Sequence, residues 1–238
     1  MTDIRLGRLP SPEEERDKYL RRFALTPETA PTKPVFVVFG IDWHHAWFEP
    51  VIDKDGHAWV GKGKPRSWGK VDGGHAIMTP PVDADYDLDL AAYQNQGATP
   101  RCVDFSHTYG MSLLNKQRYH HGWLYDRCQR VYDRIPGPPP KYDGTEVRAA
   151  DECMRVEGLL RQGETTPRKE DGIAAYRWAK NVEDVHAARG TDVNLGYVEL
   201  WQTWGVTWGD KGRVFVPNES MDWLLRRPFA DAAVPTDR

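Results

Sequence analysis

The placement of its strand-like runs constrains this chain more than any other feature. Val35-Phe36-Val37-Val38-Phe39 is a continuous β-prone apolar run ended by Gly40. His57-Ala58-Trp59-Val60 follows the Asp55-Gly56 turn signal, and Gly73-Gly74-His75-Ala76-Ile77-Met78 is stopped by Pro80-Pro81. The next strong runs come more than a hundred residues later, at Tyr197-Val198-Glu199-Leu200-Trp201 and Arg213-Val214-Phe215-Val216. Between them the texture is helical. Val103, Phe105, Tyr109, Leu113 and Leu114 approximate one helix face, and Gly122 to about Arg134 carries a second, ended by Pro136-Gly137-Pro138-Pro139-Pro140. Thr145 is placed to cap a third helix through about Glu157, and Asn181 to Ala188 forms a fourth. Strands at both ends and helices in the middle predict an α+β fold rather than alternating βαβ units. The two strand groups must meet in one sheet, because neither is stable alone.

Composition excludes several classes. The 238 residues carry 32 Lys+Arg against 35 Asp+Glu, a net charge of −3, so no basic footprint for nucleic acid is present. Ten tryptophans, ten tyrosines and seven phenylalanines supply the large apolar groups that a disordered chain lacks. Three cysteines, Cys102, Cys128 and Cys153, are too few and too odd for a disulfide scaffold. No window reaches the roughly 18 apolar residues of a membrane helix, and the charged N-terminus is not a secretory signal. These readings predict a cytoplasmic protein without membrane or nucleic-acid partners. Residues 1–33 are polar and proline-broken, with a short helix from Ser11 to about Phe23. They form a leader, and the domain proper begins at residue 34.

Two segments carry chemistry. Cys102 follows the loop Gln96-Gly97-Ala98-Thr99-Pro100-Arg101 and opens a helix, where unpaired N–H groups and the dipole stabilise a thiolate. Gln96 brings an amide donor back towards it, although a buried structural cysteine fits the same local context. Trp201 to Gly212 packs three tryptophans and three glycines into twelve residues. Taken together they resemble the papain-like cysteine peptidases. Asn95-Gln96-Gly97-(x4)-Cys102-x-x-Phe105-Ser106 is similar to that family's N-Q-G-x4-C-W-A-F-S nucleophile segment. Gln202-Thr203-Trp204-Gly205-x-x-Trp208-Gly209-x-x-Gly212 is similar to its N-S-W-G-x-x-W-G-x-x-G segment.

The family's histidine lies between those motifs in a [DNG]-H-A-[VI] pattern. His186, in Val185-His186-Ala187-Ala188, has the right position but sits in a helical stretch, with a solvent-facing residue as its plain alternative. His75, in Gly73-Gly74-His75-Ala76-Ile77, has the right pattern but precedes Cys102. The expectation is therefore a transposed segment. The block from about Pro34 to Met78 corresponds to a piece that relatives carry between the equivalents of Ala188 and Arg189.

The resemblance implies a two-lobe fold, with a helical lobe over about 93–188 and an antiparallel sheet or barrel lobe over about 34–80 plus 189–225. It implies hydrolysis of peptide or amide bonds in a polypeptide substrate by a Cys102–His75 thiolate–imidazolium pair. Gln96 becomes the oxyanion donor and Gln202 the acceptor that orients the imidazole, standing where the family has Asn. Trp204 shields that bond, and Gly74 lies beside it in the substrate cleft. No cofactor and no metal ligand set is expected: the adjacent pairs His44-His45 and His120-His121 chelate poorly. The changed segment order and Gln202 also fit a catalytically impaired, papain-like peptide-binding or structural module.

Overall fold

The computed structural model describes residues 24–26, 28–132, 143–227 and 230–236. Its frame is an eight-stranded sheet in the order β2-β3-β7-β6-β4-β1-β8-β5. The strands are β1 (Val37–His44), β2 (Val51–Ile52), β3 (Ala58–Trp59), β4 (Val71–Thr79), β5 (Ala175–Trp178), β6 (Tyr197–Trp201), β7 (Arg213–Pro217) and β8 (Asp231–Thr236). The helices are α1 (Leu88–Tyr93), α2 (Cys102–Asn115), α3 (His121–Arg127), α4 (Val147–Val156), α5 (Val182–Arg189) and α6 (Asn218–Leu225), with a π-helical turn at Cys128–Tyr132.

β1 explains the continuous apolar run. Val38 joins one core, while Val37, Phe39, Ile41 and Trp43 join another. A strand buried on both faces has no polar side to show. The first core sets α2, α3 and α4 against Val38, Ala76, Met78 and Trp201. The second sets α5 and α6, with Trp47 and Trp68, against Ile77, Val198, Leu200, Val214 and Val216. β4 pairs antiparallel with β1 over its length, Ile41 opposite His75 and Asp42 opposite Gly74. Its Val71–Gly74 half is exposed and its His75–Thr79 half is buried. His75 is thus the residue at which the strand passes from solvent into the interior.

The block from about residue 34 to 80 is stitched at both ends to the same place. Val35 N–H donates to Ala188 C=O at 2.9 Å, and Val82 N–H donates to Arg189 C=O at 2.9 Å. The Arg189 guanidinium Nε donates to Pro80 C=O at 2.8 Å. Gly190 adopts φ +76°, and a Cβ there would lie 2.6 Å from the Pro34 ring, so only glycine lets these junctions close up. Along the inner edge of the block, Met78 pairs with Trp201 of β6, and Thr79 Oγ1 donates to Glu199 C=O.

The α+β content matches expectation, but several details differ. Among the described residues the sheet is open, running from β2 to β5, rather than a closed barrel, and β3 meets β7 in a parallel contact. Residues 82–101 contain a helix the sequence analysis does not assign, α1, capped by the Asp87 carboxylate on the N–H groups of Asp89 and Leu90. β5 and β8 were not anticipated. Thr145 does not cap α4; its hydroxyl donates to Asp104 Oδ2 at 3.1 Å instead. The Ser11–Phe23 helix and the stop at Pro136–Pro140 lie outside the described residues.

Candidate active site

Cys102 is the first residue of α2, as expected. Cys102 is partly buried, packed against the first core. Burial pushes its pKa up, opposed by backbone N–H groups of Ala76, Val103 and Cys102 itself. The helix-start environment therefore lowers the cost of a thiolate without overcoming desolvation, which corrects the simple expectation of a depressed thiol. The Ala76 contact brings β4 to the nucleophile position, and Ser106 Oγ one turn along α2 donates to Ala76 C=O at 3.2 Å.

The residue before Ala76 is His75. Its Nε2 lies 2.7 Å from Gln202 Oε1. Gln202 Oε1 also accepts the Thr203 backbone N–H at 2.9 Å, which fixes that atom as the oxygen. His75 Nε2 must then be the donor, so the neutral ring carries its lone pair on Nδ1. Burial drives the His75 pKa down to about 4, the Gln202 bond opposing it. Among the described residues Gln202 Nε2 is buried without a partner.

Trp204 lies over His75 with centroids 4.8 Å apart, and Trp43 meets the same ring edge-on at 5.0 Å. Phe48, 45% exposed, stacks on Trp204 at 5.3 Å and 8°. Trp43 and Phe48 were missed at the sequence level. Trp43 becomes visible only through the β1–β4 register, and Phe48 has no local signal.

Gln96 is held at both ends of its amide. Its Nε2 donates to Thr99 C=O at 2.9 Å and its Oε1 accepts from Thr203 Oγ1. Its backbone N–H donates to Thr203 C=O at 2.7 Å. The Gln96 loop and the Gln202 loop are thereby bolted together through Thr203, with Gly205 at φ +80° closing against Asn95, whose amide would lie 2.6 Å from a Cβ there. Gly73 and Gly74 are exposed, with open space where a Cβ would stand.

The structure thus groups Gln96, Thr203, Gln202, His75 and Trp204, and sets Cys102 beside Ala76. It does not bring His186 to this group. His186 is buried, not solvent-facing, because both its nitrogens are used: Nδ1 with Thr191 Oγ1 at 2.8 Å and Nε2 with Asn218 Oδ1 at 3.0 Å. Among the described residues no cluster of His, Cys, Asp and Glu is arranged to hold a metal ion, and no helix is long and apolar enough to cross a membrane.

A second polar group, unforeseen in the sequence, lies along α2. His107 Nε2 is 3.3 Å from Asp151 Oδ1 on α4, and its Nδ1 is 2.8 Å from Val103 C=O. Asp104 is fully buried nearby in the chain, with Oδ1 unpartnered.

No protein-family model matches the chain, and no curated protein does. Solved structures similar to it are cysteine proteases. Xylellain from Xylella fastidiosa aligns at 12% identity and TM-score 0.45 over 83% of this chain and 98% of that one. The Amb a 11 cysteine protease of ragweed pollen, in its proform, aligns at 12% and 0.43 over 65% of this chain and 66% of that one. Bromelain protease from Ananas comosus aligns at 14% and 0.41 over 60% and 92%.

Proposed function

We propose that the chain is a cysteine peptidase of papain-like, two-lobe architecture acting on polypeptide. The helical lobe spans about 93–188, and the strand lobe 34–80 plus 189–225, with the leader before them. The observation that carries this reading is the tautomer of His75. Thr203 N–H fixes Gln202 Oε1, Gln202 fixes Nε2–H, and Nδ1 is left as a base one residue from the backbone N–H that faces the Cys102 thiol.

A peptide carbonyl enters beside Gly74, which is exposed and has open space where a Cβ would stand. Burial favours neutral His75 and neutral Cys102 alike. His75 Nδ1 therefore takes the thiol proton as sulfur attacks, in place of a preformed thiolate–imidazolium pair. The resulting imidazolium, its other N–H held by Gln202, returns the proton to the leaving amine. The Cys102 backbone N–H and the second Nε2–H of Gln96 stabilise the oxyanion, preorganised by Thr99 and Thr203. Trp204 and Trp43 keep water from the His75–Gln202 bond. Water then hydrolyses the acyl-enzyme by the same steps reversed.

The segment order is explained by transposition of residues 34 to about 80. Its support is that both ends of the block are hydrogen-bonded to Ala188 and Arg189, the point at which relatives would carry it. The reading of a binding module without turnover draws on the same neutral pair, and one experiment separates the two. A peptidyl electrophile that reacts only with activated thiols labels Cys102 in the native protein, and His75→Ala abolishes labelling. Labelling of all three cysteines only after denaturation leaves the binding module. A rearranged chain, with 34–80 moved between Ala188 and Arg189, retains the fold and the labelling; a chain that no longer folds overturns the transposition.

A further inference from the structure

The segment Gly61-Lys62-Gly63-Lys64-Pro65-Arg66-Ser67-Trp68-Gly69-Lys70 holds four cations and no acid, in a chain whose net charge is −3. Lys62, Lys64, Arg66 and Lys70 are all exposed, while Trp68 among them is buried. Among the described residues Lys62, Lys64 and Arg66 form no ion pair, and Lys70 meets Asp72 at 2.8 Å. Lys62 Nζ stands 4.0 Å from the Trp59 ring centroid, a contact that holds the charge without neutralising it. Asp53 is taken up by Trp59 Nε1 at 2.7 Å and by the N–H groups of Asp55 and His57. The backbone of the loop is pinned along its length. Ser220 Oγ donates to Gly61 C=O at 2.6 Å and Trp68 Nε1 to Lys62 C=O at 3.1 Å. Ser67 donates to Lys64 C=O through its N–H at 2.8 Å and its Oγ at 2.7 Å. His45 N–H closes on Lys70 C=O at 2.9 Å. Only the cationic side chains are left to be ordered when an anion docks.

Lys70 leads directly into β4, whose Val71–Gly74 half is exposed. A chain extended beside Gly74 along that half reaches Lys70 after about four residues, about 13 Å at about 3.3 Å each. We propose that the Gly61–Lys70 loop is a docking surface for an acidic segment of polypeptide, carried by the same chain whose carbonyl enters beside Gly74. The substrate class is then a polypeptide with Asp or Glu clustered about four or more residues from the bond attacked. Charge complementarity of this kind speeds encounter and selects among partners. A nucleic acid fits the surface less well. Single strands stack their bases on open aromatic rings, whereas Trp68 is buried and Trp59 lies under Lys62. The consequence for choice of substrate rests on the peptidase reading, but the docking itself does not.

The test measures binding to the full chain carrying Cys102→Ala, in which the nucleophile is removed. Two fluorescent peptides share a neutral core and differ only in a flanking tract, all glutamate in one and all glutamine in the other, and each is made with the tract on either side of the core. The glutamate peptide binds about tenfold more tightly at about 50 mM salt, and most of the difference is gone at about 300 mM. Replacing Lys62→Gln, Lys64→Gln and Arg66→Gln together abolishes the preference. If that triple variant does not fold, Lys64→Glu with Arg66→Glu decides, since both side chains are exposed and outside any ion pair among the described residues. Equal affinities for the two peptides, or a preference that survives these variants, overturn the proposal. A single-stranded oligothymidylate that binds more tightly than the glutamate peptide and responds to the same variants also overturns it, and makes the loop a nucleic-acid surface. Turnover by the parent chain separates the two readings. Docking of the glutamate peptide without cleavage fails only the peptidase reading, and cleavage of both peptides with one kcat/KM fails only this inference.

Discussion

Two imidazoles are buried, one on β4 and one on α2, and they are held in opposite ways. His75, at the point where β4 enters the interior, is given a neutral amide oxygen and two indole rings. His107, one turn and a half along α2, is given the carboxylate of Asp151. Burial lowers the pKa of both rings, but at His75 the amide cannot offset it and the ring falls to about 4. At His107 burial is opposed by Asp151, the Val103 carbonyl and Asp104 together, and the ring rises above its ordinary value. The same side chain, equally enclosed, is held neutral in one place and drawn towards the charged form in the other. On the proposed mechanism the neutral Gln202 is the partner that leaves the His75 ring able to accept a proton.

That contrast can be broken most directly by removing each ring. His75→Ala is expected to lower peptide turnover by at least about 10⁴-fold, more than roughly 5 kcal/mol of transition-state stabilisation, while the thermal midpoint changes little. His107→Ala is expected to do the reverse. It leaves Asp151 buried without its partner, at a cost of about 3–5 kcal/mol in denaturant unfolding. Replacing both partners, His107→Leu with Asp151→Leu, recovers most of that loss. If His107→Ala instead lowers turnover at unchanged stability, the two sites are not separate devices.

The pH dependence of stability sharpens the comparison. The unfolded chain protonates His75 near 6.5 but the folded chain only near 4. Stability from this residue is therefore lost as pH falls from about 6.5 to about 4, by up to about 3 kcal/mol. His107, raised, contributes in the other sense: its stabilisation is present below its ordinary pKa and is lost as pH rises through the folded value. Asp104, raised to about 7, loses stability as pH climbs towards 7 and so masks part of the His75 slope. Unfolding curves across pH, compared between His75→Ala and its parent, should show the acid-side slope removed by the substitution. The smallest effect is expected at the orienting amide. Gln202→Ala costs about tenfold in kcat/KM, near 1.4 kcal/mol, with the fold retained; Gln202→Asn falls between it and the parent.

The parts of this structure that could be read from the sequence are those whose burial is local. β1 is a solid apolar run because both its faces are covered, and the Gln202–Gly212 segment declares itself through the spacing of Trp204, Trp208 and three glycines. His75 was marked by its Gly-Gly-His-Ala-Ile setting even though it stood on the wrong side of Cys102. The rest depends on contacts that no local pattern carries. Asp104, His107 and Asp151 carry no local mark of burial; His107 and Asp151 meet across α2 and α4, and Asp104 draws on Thr145. His186 reads as exposed for the same reason; its partner Asn218 is 32 residues away. β5 and β8 pair only with distant strands, Trp178 opposite Ala233, and β5 is four residues long. α1 is only six residues long, too short for its apolar positions to show a helical period.

The bond between His75 and Gln202 spans 127 residues, and Cys102 lies between its ends. A chain emerging from the ribosome therefore exposes its thiol long before the amide that orients the imidazole has been synthesised. Contacts of such sequence separation form slowly, since a long loop must close before they return any stability. On the proposed peptidase reading the site stays incomplete until the Gln202 loop has docked beside β4, so the far end of the chain sets the moment of its maturation.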